Sequence, residues 1–76
     1  MEISKFIELF AELYDETDTS MFTAETKFKE LDEWSSLIAL SVIAMVDEEY
    51  NVTIQGEDIR NAITIADLFN NVKAKQ

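Results

Sequence analysis

Hydrophobic residues recur at three- and four-residue intervals over the first fourteen positions. Ile3, Phe6, Ile7, Phe10, Leu13 and Tyr14 fall on one side, with Ser4, Lys5, Glu8 and Glu12 opposite. That period predicts an amphipathic helix over about residues 2–14, its stripe turned inward. From 15 to 35 the period is lost and Asp, Glu, Thr and Ser dominate. A loop of this length is unusual in a small domain. Phe22, Phe28 and Leu31 are spaced to pin it to the core, with room for a short helical turn between them.

The longest apolar run, Leu37 through Val46, follows two serines and closes with Asp47-Glu48-Glu49-Tyr50. A helix beginning at Ser35 or Ser36, both competent N-caps, and ending near Tyr50 is expected. At 100° per residue Ala39, Val42, Ile43, Val46 and Tyr50 share a core arc, with Leu40 at its edge. Leu37, Ser41, Ala44 and Glu48 face the other way, with Ile38 and Met45 beside them. This helix is apolar nearly all round, and so small a chain cannot easily bury it on every side. The pattern therefore predicts a partner-facing side on which Leu37 and Met45 are exposed, and a core that holds Phe6 and Tyr50.

Beyond it, Asn51-Val52-Thr53-Ile54 reads as a short extended connector, and Gly56-Glu57-Asp58 opens a brief third helix holding Ile59. Thr64 and Asp67 have the spacing of a capping box. A last helix follows with Ile65, Leu68, Phe69 and Val72 inward, and with Lys73 and Lys75 at the negative end of its dipole. The expected fold is all-α: one domain over 1–76, a small bundle of three main helices plus one short helix, and no sheet.

Sixteen acids against six bases give a formal charge of −10, with no cysteine and no histidine. The missing residue types remove the thiol nucleophile, the usual general base, disulfides and nearly every zinc arrangement. The charge repels nucleic acid and anionic membrane surfaces and attracts basic protein surfaces. A hydrophobic content of 47% is too high for a disordered acidic tail. Met1-Glu2-Ile3-Ser4-Lys5 lacks the cationic start of a signal peptide, and no apolar run reaches the roughly 18 residues of a membrane span. A cytoplasmic monomer without membrane insertion is expected. Asp15-Glu16-Thr17-Asp18-Thr19 is not a calcium loop, because Ser20 and Thr26 stand where glycine and glutamate are required. The acidic pairs Asp32/Glu33 and Asp47/Glu48 read as solvated faces rather than as a hydrolase's carboxylates, and no metal site is predicted.

Ser36 is the residue whose position points to chemistry. A helix N-terminus offers unpaired N–H groups and partial positive charge, so a phosphodiester on its first turn needs no basic side chain. By position alone, Ser35 and Ser36 are more simply a pair of caps. Leu31, then Trp34-Ser35-Ser36-Leu37, the spacing to Asp47-Glu48-Glu49-Tyr50 and Ile54, and the closing Thr64-Ile65-Ala66-Asp67-Leu68 change that balance. Over nearly the whole chain this pattern resembles the acyl carrier proteins and their peptidyl carrier relatives. Trp34 is similar to the stand-alone subgroup whose motif reads Trp-Asp-Ser-Leu.

The resemblance implies a non-enzymatic carrier. A phosphopantetheinyl transferase would attach 4′-phosphopantetheine from coenzyme A to Ser36. The arm would then present acyl or aminoacyl thioesters to enzymes of fatty-acid or polyketide biosynthesis. Docking is expected on Trp34, Ser35, Leu37, Ile38, Ser41, Ala44, Met45, Asp47 and Glu48, against loading and transferring enzymes with basic and apolar surfaces. Two departures stand out. Ser35 replaces the aspartate that engages the transferase in relatives, and Ile38 and Ser41 replace acids found in fatty-acid carriers. Alternatives are an aminoacyl or peptidyl carrier of a non-ribosomal-type pathway, and an unmodified helical adaptor that keeps the fold without the arm.

Overall fold

The first hydrophobic stripe winds as helix α1, Ile3–Ala11, with Phe6 and Phe10 fully buried. The computed structural model describes residues 2–76 of the chain. Helix α1 ends three residues before its stripe predicts. The Leu13 and Tyr14 N–H groups donate to Phe10 and Ala11 carbonyls, both at 3.1 Å, so the end tightens into a three-residue-spaced turn. Tyr14 is still delivered to the core.

Residues 15–35 form a loop with two brief helical turns, Thr19–Met21 and Phe28–Glu30. Phe22 and Phe28 are buried and Leu31 packs against the core, as their spacing predicts. A chain of rings links loop and helix: Phe10 stands edge-on to Phe28 at 5.3 Å and tilts against Phe22 at 6.4 Å. The loop is also tied to the last helix, where Ile65 and Ala66 N–H groups donate to Thr26 and Ala24 carbonyls.

Helix α2 is Ser36–Tyr50, and Asn51 closes it in a left-handed conformation at φ 59°. Asparagine tolerates that conformation better than most residues. Helix α3 is Gly56–Asn61 and α4 is Ile65–Lys75. Thr64 Oγ1 accepts from Asp67 N at 3.1 Å while the Asp67 carboxylate accepts from Thr64 N at 3.0 Å, the reciprocal box that the sequence predicts. Helix α1 packs against α2 and α4, and α3 against α4. The architecture is an all-helical bundle of three longer helices and one short one, with no strand among the described residues.

One orientation differs from expectation. Ile38, Val42, Met45 and Val46 are the buried residues of α2, while Ala39, Ile43 and Tyr50 are only half-buried and Leu40 is 63% exposed. The inward face lies about 70° round the helix from the predicted arc. Ile38 and Met45 therefore belong to the core, and their predicted docking role is corrected. The cause is that α2 is apolar on nearly every side, so its own pattern carries little directional information. Its rotation is set by what the rest of the fold offers to pack against. Tyr50, expected in the core, lies at its margin with its ring 5.9 Å from that of Phe6.

Candidate functional site

Three local devices fix the entry to α2. The first is Glu33, whose carboxylate accepts hydrogen bonds from the N–H groups of Asp15, Glu16 and Thr17 at 2.8–3.0 Å. It also accepts from Thr17 Oγ1 at 2.7 Å. The Thr17 side chain, followed by these amides, holds the Glu33 carboxyl below the usual carboxylate range. A carboxylate so committed is an anchor rather than a proton donor at neutral pH. The second is Trp34, half-buried with its ring edge-on to Phe28 at 5.2 Å. The third is Ser35, extended at φ −156° and ψ 171°, whose Oγ accepts from Ile38 N at 3.3 Å.

Ser35 is thus the N-cap and Ser36 the first helical residue. The Ser36 side chain is exposed and makes no hydrogen bond among the described residues. Neither do the N–H groups of Ser36 and Leu37, and no acidic residue stands in the first turn of α2. Unpaired amides at the positive end of a fifteen-residue helix favour an anion attached there.

Along α2 the exposed strip runs through Ser36, Leu37, Leu40, Ala44, Asp47 and Glu48. Leu37 is 73% exposed. Ser41 is half-buried, its hydroxyl donating to the Leu37 carbonyl at 3.1 Å. Of the predicted docking residues, this strip gathers Leu37, Ala44, Asp47 and Glu48, with Trp34, Ser35 and Ser41 on its margins. It leaves out Ile38 and Met45. It adds Leu40, which the helical wheel had placed at the edge of the core arc.

Beside Ser36 opens a cleft of about 430 Å³. Trp34, Ala39, Leu40 and Ile43 form one side; Gly56, Ile59 and Arg60 of α3 and Lys29 of the loop complete it. The hydrophobic pattern assigns Ala39 and Ile43 to the core arc and Leu40 to its edge; the structure places all three, which lie three, seven and four residues beyond Ser36, on the wall of this cleft. The contribution of Lys29 and Arg60 had no local signal. A second, more polar hollow of about 390 Å³ lies among Glu16, Thr17, Asp18, Met21, Leu31, Asp32 and Glu33. Its carboxylates do not converge as a metal-ligand group among the described residues. Comparison with protein families, curated proteins and solved structures returns no match for this chain.

Proposed function

We propose that the protein is a carrier that holds acyl or aminoacyl intermediates as thioesters on a 4′-phosphopantetheine arm attached at Ser36. The carrying observation is the setting of Ser36: exposed, on the first turn of α2, with unpaired amides behind it, exposed Leu37 next to it and an apolar-walled cleft alongside. In the loading step Ser36 Oγ attacks a pyrophosphate phosphorus of coenzyme A. The new Oγ–P bond replaces the P–O bond to adenosine 3′,5′-bisphosphate, which leaves, and the hydroxyl proton passes to a base on the transferase. The helix N-terminus stabilises the resulting phosphodiester.

Catalysis is left to the partners. Tethering raises the effective concentration of the intermediate for each enzyme in turn. The acidic surface speeds encounter with basic docking sites without demanding tight binding. The leucines and Ala44 of the α2 strip, closed by Asp47 and Glu48, suit such brief docking.

The test is intact mass after incubation with a phosphopantetheinyl transferase and coenzyme A. Wild type should gain one phosphopantetheine group and Ser36→Ala none, with an unchanged helical spectrum. Ser35→Ala should still be modified, at a cost of about 1 kcal/mol for the lost cap. Ser35→Asp keeps the cap, adds the carboxylate that the carrier resemblance implies, and should load faster. Uptake of the group by Ser36→Ala, or no uptake by wild type with any transferase from its own source, refutes the assignment. The second outcome favours the unmodified adaptor, for which the serine at position 35 is the supporting observation.

A further inference from the structure

Two of the six basic residues, Lys29 and Arg60, meet at the cleft beside Ser36. Lys29 Nζ donates to the Arg60 carbonyl at 2.7 Å across 31 residues of sequence. It also sits 5.9 Å from the centre of the Phe28 ring. Arg60 folds back over the start of its own helix: its Nη1 lies 3.5 Å from where a β-carbon on Gly56 would stand. The guanidinium thus occupies space beside the chain's only glycine.

Among the described residues, neither cation has a carboxylate within ion-pair distance. The one ion pair among the described residues joins Lys75 to Asp58 at 3.7 Å, on the α3–α4 side. With sixteen acids in the chain, two cations lining one cleft, neither in an ion pair among the described residues, are out of step with the rest of the surface. The remaining walls, Trp34, Ala39, Leu40, Ile43 and Ile59, are apolar. Counted from Ser36 to Ile43, the lining follows about 10 Å of α2. A ligand matching both features has an apolar chain and an anionic group.

We infer that the cleft receives cargo of that kind, an acyl chain bearing a second carboxylate, with the chain against Ile43 and Ile59 and the carboxylate between Lys29 and Arg60. This rests on the carrier reading, because the arm on Ser36 delivers the cargo. A planar guanidinium and a free ammonium proton can share one carboxylate in charge-assisted hydrogen bonds. The arm's own phosphodiester explains the site less well. It has the α2 amides beside it and makes no use of apolar walls.

The absence of cysteine allows a direct test. Ser36→Cys supplies a single thiol, to which chains of equal length ending in a carboxylate or in a methyl group are attached. The carboxylate chain should perturb the amides of Ile43, Ile59 and Arg60 and the side-chain nitrogens of Lys29 and Arg60. It should occupy the cleft roughly ten-fold more than the methyl chain does, as expected for hydrogen bonds to a charged group. Lys29→Gln with Arg60→Gln should erase that preference while leaving the methyl chain's behaviour unchanged. Equal occupancy of the cleft by both chains, or a preference that survives the double substitution, overturns the inference. So would the same Lys29 and Arg60 perturbation from a phosphopantetheine arm without cargo, which would assign the cations to the phosphate. None of the thiol experiments needs the transferase, so failed enzymatic loading would refute the carrier reading separately.

Discussion

Truncation of Met45 and of Leu37 tests the rotation of α2 directly. Both are large apolar residues of the same helix, but Met45 is 7% exposed and Leu37 is 73% exposed. Met45→Ala removes buried thioether and methylene groups and leaves a cavity, which costs about 2–5 kcal/mol. A chain of this length has about 4–11 kcal/mol of total stability, so the variant loses about a fifth of it or more. Leu37→Ala removes side chain that is already largely in water and replaces leucine with a better helix former. Its effect should stay within about 0.5 kcal/mol. Urea unfolding followed by far-ultraviolet circular dichroism reads the difference. With a slope near 1 kcal/mol/M, the low end for a small protein, Met45→Ala should lower the midpoint by roughly 2–5 M. Leu37→Ala should hardly move it. Comparable losses from both, or a larger one from Leu37→Ala, would mean that α2 presents a different face to the core.

Tyr14 is buried with its hydroxyl unpaired. Burial, aided by the nearby Glu33 charge, pushes its ionisation well above the ordinary tyrosine value. Tyr14→Phe removes an unsatisfied polar group, so stability should rise by about 1 kcal/mol, seen as a 4–8 °C higher Tm. Thr64→Ala should cost about 1 kcal/mol by opening one half of the α4 cap, and adding it to Asp67→Asn should cost less than the sum of the two, measurable in a double-mutant cycle. Glu33, Asp58 and Asp67 are held below the usual carboxylate range by hydrogen bonds from Thr17, Gln55 and Thr64 respectively. Their contribution is present above the unfolded value of about 4 and is lost as pH falls through the lower folded values. Melting scans should therefore decline below about pH 4. Between neutrality and pH 5, partial neutralisation of the −10 charge should hold stability steady or raise it.

Much of the fold can be read from local pattern. The α1 stripe, the three loop anchors, the start of α2 and the α4 capping box are all short-range consequences of side-chain type and spacing. The rotation of α2 is not, because Ile38, Met45, Ala39 and Ile43 look alike to a hydrophobicity pattern, and only the packed neighbours distinguish them. The end of α1 is hidden from the pattern for a related reason: Leu13 and Tyr14 keep the apolar period while their amides move to three-residue bonding. At the candidate site, Ser36 follows from its place ahead of the apolar run, whereas the cleft wall of Ala39, Leu40 and Ile43 depends on the rotation of α2. Lys29 and Arg60 do not, since only the folded loop and α3 bring them together.

The Glu33 clamp has a consequence for how freely the loop can change. It grips backbone amides at 15, 16 and 17, with only Thr17 contributing a side chain. The identities of Asp15 and Glu16 are therefore uncoupled from the loop's path, and their exposed side chains can be replaced with little mechanical penalty. Position 33, by contrast, governs three peptide groups at once and stands just ahead of Trp34, Ser35 and Ser36. Variation would be tolerated at 15 and 16, on one side of the loop's root, and resisted at 33, on the other. A cysteine at 15 or 16 would carry a fluorophore on a surface whose geometry is maintained from elsewhere in the chain.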